Sequence, residues 1–97
     1  MKISFLIPVQ TEFEEAMEYY DEQRTGLGIE FSEEVRQALD RVSHYPEAWS
    51  QLSPRIRRCL VNRFPYSVIY EVRNELLIII AIQHHLRKPE SWRSRVK

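Results

Sequence analysis

Ninety-seven residues are enough for one domain with a single core and too few for two. A lone cysteine, Cys59, excludes an internal disulfide, and a hydrophobic fraction of 43% excludes wholesale disorder. The formal net charge is zero, yet residues 1–50 carry four basic against eleven acidic side chains and residues 51–97 ten against three, leaving the halves at −7 and +7.

In chain order, Ile3 to Ile7 predicts a short strand stopped by Pro8. Its apolar run is too short for a signal peptide, and Leu76 to Ile82 is too short for a membrane span, so a cytoplasmic protein without membrane contact is expected. Thr11 and Glu14 have the spacing of a capping box. Phe13, Ala16, Met17 and Tyr20 follow on one helix face, with Glu12, Glu15, Glu18 and Glu22 expected on a solvated face. Gly26 and Gly28 mark a turn into a second amphipathic helix carrying Phe31, Val35, Leu39 and Val42, so the two helices form an antiparallel hairpin.

Pro46 to Pro54 predicts a loop around Trp49, and Ile56 to Val61 a strand holding a buried, inert Cys59. Tyr66, Val68, Tyr70 and Val72 alternate with Ser67, Ile69, Glu71 and Arg73, the period of a strand with one buried face. Asn74-Glu75 turns the chain into Leu76–Ile82, apolar at every position, as in a central strand covered on both sides. The expected fold is α+β, one domain over residues 1–97: a helical hairpin packed on one face of a mostly antiparallel sheet, in the order β-α-α-β-β-β. Val68, Tyr70, Ile78 and Ile80 are expected to meet the helices. Leu77, Ile79 and Ala81 are then left on the other face, to be covered by the Trp92 tail or by a partner.

The cationic second half points to an anion, either nucleic acid or an acidic protein segment, or to charge that only hydrates the surface. On an unbroken strand Arg57 and Arg63 share a face, with Arg58 on the other. Arg87 and Lys88 follow His84 and His85, which places cations and imidazoles at one end of the sheet. RNA cleavage by the 2′-hydroxyl needs a base, an acid and positive charge on the phosphorane. His84 or His85 suits the proton transfers near neutral pH, and Arg57, Arg63 and Arg87 the charge. Each is equally read as a surface arginine or a histidine closing a strand. No metal site is expected, since His44 closes a helix and no ligand spacing recurs. With no glycine-rich phosphate loop, no cofactor is expected either.

Several of these residues together resemble a known family. Tyr19-Tyr20-Asp21-Glu22-Gln23, Gly26-Leu27-Gly28 and Phe31 are similar to the helical hairpin of the RelE/ParE toxins. The match continues through Arg57-Arg58, Arg63-Phe64-Pro65-Tyr66, Ile69-Tyr70, His84, Arg87, Pro89 and Trp92. The resemblance implies the toxin of a type II toxin–antitoxin pair, bound by a cognate antitoxin. RelE-like members cut mRNA in the ribosome, whereas ParE-like members poison DNA gyrase and are not nucleases. The Tyr-Tyr, Gly-Leu-Gly and Phe-Pro-Tyr elements look more like the ParE-like, plasmid-stabilisation branch.

As an RNase, the chain would use Arg57, Arg63, His84 and Arg87 as its catalytic set. RelE-type nucleases often carry a tyrosine near the C-terminus, however, and none follows Tyr70 here; Trp92 has no phenol to replace it. On either branch the target- or partner-binding residues expected are Arg58, His85, Lys88, Trp92, Arg93 and Arg95, with apolar contacts at Leu77 and Ile79. A third alternative is a non-toxic relative that acts with its antitoxin in operon repression.

Overall fold

A computed structural model describes residues 1–96. The elements are β1 (Lys2–Phe5), α1 (Ile7–Gln23), α2 (Leu27–His44), β2 (Ser50–Gln51), β3 (Ile56–Leu60), β4 (Tyr66–Arg73) and β5 (Leu76–His84), followed by a 3-10 turn at Arg93–Arg95. The strands form one sheet in the order β1-β5-β4-β3-β2. β1 runs parallel to β5, and the remaining pairs are antiparallel. This is the expected α+β arrangement, with a two-residue β2 added inside the segment read as a loop.

The first helix starts earlier than its spacing suggests. Pro8 sits in the first turn of α1, where its fixed φ suits the helix and its missing N–H would have no partner anyway. Thr11 therefore lies one turn inside the helix and caps nothing, and Glu14 accepts a hydrogen bond from Gln10 at 3.2 Å instead. At the hairpin, Gly26 adopts a left-handed φ of 91°. Gly28 brings α2 against α1 so closely that a Cβ there would stand 2.5 Å from the Met17 carbonyl oxygen. Its N–H donates to Asp21 Oδ1 at 2.7 Å, which satisfies one of the orphan donors at the start of α2.

The core beneath the hairpin joins Val9 and Ala16 of α1 and Phe31, Val35, Ala38 and Val42 of α2 to Val68, Tyr70, Leu77, Ile79 and Ile82. Tyr20, Phe31, Phe64 and Tyr66 close one end of it, with ring centroids 4.9 Å apart for both Tyr20–Phe64 and Phe31–Tyr66. Cys59 is buried here, and burial pushes its thiol pKa up, away from the reactive thiolate.

The face assignment of β5 is the reverse of the one expected for Leu77, Ile79 and Ile80, while Ala81 lies on the far face as expected. Leu77 and Ile79 are fully buried under the helices, while Ile80 and Ala81 face the other way. A strand that is apolar at every position has no alternation from which its face can be read. It also carries a bulge: Tyr70 pairs with Ile79 and Ile69 with Ala81, leaving Ile80 as the extra residue. The bulge shifts the parity, so Ile82 returns to the helix side. On the opposite face Trp92, 2% exposed, packs with Ile56, Ile69, Ile80 and Ala81. The tail is thus the cover of this face, and neither Leu77 nor Ile79 is open to a partner.

Candidate functional site

The four residues that an RNase would need do not converge. Arg57, half-buried on β3, donates to the Trp49 carbonyl at 2.7 Å and pins the preceding loop. Arg63 lies beyond the end of β3, at φ 71°, so it does not share a strand face with Arg57. It donates to Glu30 at 2.7 Å and reaches Glu34 at 3.5 Å, both on α2. The bond from Arg63, then that from Arg24, holds the Glu30 carboxyl below its usual range. His84 ends β5, edge-on to Tyr66 at 5.0 Å, with Nδ1 accepting the Leu86 N–H at 3.0 Å.

The fourth, Arg87, reaches a residue expected to be solvated. Glu12 has a side chain only 12% exposed. It accepts from Arg95 at 2.8 and 3.0 Å, from Arg87 at 3.3 Å and from the Ile82 backbone N–H at 3.2 Å. Arg95, expected to meet a target, is thereby committed inside the fold. Trp92 is likewise buried. Arg93 pairs with Glu90 and lies over the Trp92 ring, 4.8 Å from its centre, while Lys88 is exposed.

A different set does come together on the face opposite the hairpin. Arg58, Ser67, Gln83, His85 and Arg87 line a cavity of about 110 Å³ with Leu52, Ile69 and Pro89. Ser67 and Gln83 are paired directly across β4 and β5. Ser67 Oγ lies 3.0 Å from His85 Nε2, and Gln83 Oε1 accepts from Ser91 Oγ at 2.9 Å. Sequence reading placed Ser67 only as an alternation partner and gave Gln83 no role. The visible signal for Gln83 was a polar residue ending an apolar run, whereas Ser67 stood among the other polar members of the β4 alternation, Glu71 and Arg73.

A second concavity, about 510 Å³, opens between the helices. Val9, Phe13, Met17, Val35 and Leu39 line it with Phe5, which remains 49% exposed. Leu39 is half-buried, where its spacing predicted full burial. Glu14 and Arg36 stand on the rim. Among the described residues no cluster of histidine, cysteine or carboxylate is placed to hold a metal, and no helix is long and apolar enough to cross a membrane.

The model of the family described as "ParE toxin of type II toxin-antitoxin system, parDE" matches residues 3–89. A solved chain from the "Chromosomal ParDE TA system from P. aeruginosa" is similar in fold, with a TM-score of 0.75 at 11% identity. That superposition covers 87% of this chain and 95% of the other. No curated protein sequence matches the chain significantly.

Proposed function

The chain belongs to the ParE toxin family of type II toxin–antitoxin systems, and from that premise we propose that it inhibits growth by contacting DNA gyrase and is neutralised by a cognate antitoxin. The observation that carries the gyrase reading is the dispersal of Arg57, Arg63, His84 and Arg87. Phosphorane stabilisation needs donors within about 3 Å of the same developing oxygens, and a general acid or base must reach the same phosphate. Here Arg63 is tied to the hairpin and Arg57 to the Trp49 loop. A toxin that works by protein contact needs no such convergence. Its target-facing side is assigned to the exposed cations Arg58, Lys88 and Arg93 with His85.

The antitoxin reading is supported by the groove between α1 and α2. An open apolar trough with a charged rim suits the apolar stripe of an amphipathic segment. It takes the place of Leu77 and Ile79, whose face is closed. The test is purified protein added to a gyrase supercoiling assay and to a translating extract. The expected result is blocked supercoiling with trapped DNA cleavage, no new mRNA ends, and an undiminished effect in His84→Gln. Ribosome-dependent mRNA cleavage that disappears in His84→Gln would establish the RNase alternative.

A further inference from the structure

We infer that the cavity lined by Arg58, Ser67, Gln83, His85 and Arg87 is a binding site for a single phosphate group. This goes beyond the gyrase reading and does not depend on it. No carboxylate lines the cavity, so its charge selects an anion over a cation. No phenylalanine, tyrosine or tryptophan lines it either, so a nucleobase has no ring of that kind to stack on and the phosphate itself is what is held. At about 110 Å³ the cavity has room for a few waters or one tetrahedral oxyanion. A nucleoside or cofactor pocket is several times larger, on the order of 300 Å³ or more.

The donors are free to serve such a ligand. Among the described residues only Arg55 and Arg58 of the arginines make no side-chain hydrogen bond or ion pair, and Arg58 is the one at the cavity. Gln83 has its amide oxygen engaged by Ser91, which leaves the NH2 as the donating half of the side chain. The Ser67 hydroxyl and His85 imidazole form a hydrogen-bonded pair that can turn a donor to the ligand. Arg87 holds Glu12 by the longest of that carboxylate's four bonds, and the two bonds from Arg95 remain if Arg87 swings over. Ser67 and Gln83, 3% and 9% exposed, are two of the three buried polar or charged side chains among the described residues, and both lie at this cavity.

The experiment is a side-chain NMR titration of the full-length protein at constant ionic strength. The probes are inorganic phosphate, an unphosphorylated oligodeoxynucleotide and the same oligonucleotide with a 5′-phosphate. Saturable shifts are expected at the Arg58 Nε–H and the Gln83 amide, and binding read at the Gln83 amide should be at least tenfold weaker in Arg58→Gln and weaker in His85→Ala. Arg55→Gln, with the same change of charge, should bind as the parent does. Saturation by the unphosphorylated oligonucleotide identifies a backbone diester as the natural source, and saturation only with the 5′-phosphate a monoester. Shifts that never saturate, that appear equally at Arg55, or that survive Arg58→Gln would overturn the site.

Discussion

Glu12 and Arg95, 83 residues apart in the chain, together take the place of a missing stretch of strand. β1 stops at Phe5, and after the bond from Leu6 N–H to the Ile79 carbonyl the edge of β5 has no strand beside it. Glu12 accepts the Ile82 N–H at 3.2 Å, and Arg95 donates to the carbonyl of the bulged Ile80 at 3.0 Å. Each would otherwise be a polar backbone group stranded near a core. The same pair fastens the tail that lays Trp92 over the sheet.

Glu12→Ala should therefore cost about 2–4 kcal/mol, because it leaves a half-buried guanidinium without its counter-charge and the Ile82 backbone donor unpaired. Arg95→Ala should cost less, since an exposed neighbour, Arg87, can still serve Glu12. Urea unfolding of both single variants and the double variant checks the coupling. The double should lose at least about 1 kcal/mol less than the sum of the singles. Additive losses would mean that the two side chains do not act as a unit.

Gly28→Ala should destabilise the hairpin by about 1–3 kcal/mol, the range for forcing atoms into a packed contact. The new methyl group would stand 2.5 Å from the Met17 carbonyl and 2.8 Å from Asp21 Oδ1. Asp21→Asn retains a carbonyl acceptor for the Gly28 N–H and should lose only the charge-assisted part of that bond. Thermal melts followed by helical circular dichroism measure both. A Gly28→Ala protein as stable as its parent would contradict the close approach of the helices.

Alkaline stability should depend on Tyr70. Burial pushes its pKa up to about 12, and the hydroxyl donates to the Pro46 carbonyl at 2.6 Å. An unfolded tyrosine ionises near pH 10, so between about pH 10 and 12 the folded state holds a proton that the unfolded state has lost. The stabilisation is complete below pH 10 and declines as pH rises through the folded value. Tyr70→Phe should lose about 1–2 kcal/mol at neutral pH for the orphaned carbonyl. Its stability should then fall less steeply than the parent's between pH 9.5 and 11 in urea titrations, though not to zero slope. Burial raises the pKa of Tyr20 and Tyr66 as well.

The groove should separate partner binding from folding. Phe5→Asp places a charge in the trough at a half-exposed position, so the melting temperature should barely change. Capture of the proposed cognate antitoxin should fall at least tenfold. Leu39→Ala, half-buried, should cost about 1–2 kcal/mol, below the range for a fully enclosed leucine, and weaken the same complex. Unchanged affinity in both variants would move the antitoxin to another surface.

Periodicity is local, and what it encodes was legible in the chain alone. The spacing of Phe13, Met17 and Tyr20, then of Phe31, Val35 and Val42, determines two one-sided helices, and Gly26 and Gly28 determine where they turn. The alternation from Tyr66 to Arg73 determines a strand, and the order of elements then leaves few ways to pack. The face of β5 had no such signal, because its residues are uniformly apolar and its bulge at Ile80 reverses parity midway. Nor did Glu12 differ in the sequence from the glutamates around it. What distinguishes it is a strand edge left open by the early end of β1 and a guanidinium delivered from 83 residues away. The cavity of Arg58, Ser67, Gln83 and His85 was hidden for the same reason: it is built from three strands and the tail, and register across a sheet decides which of their residues meet.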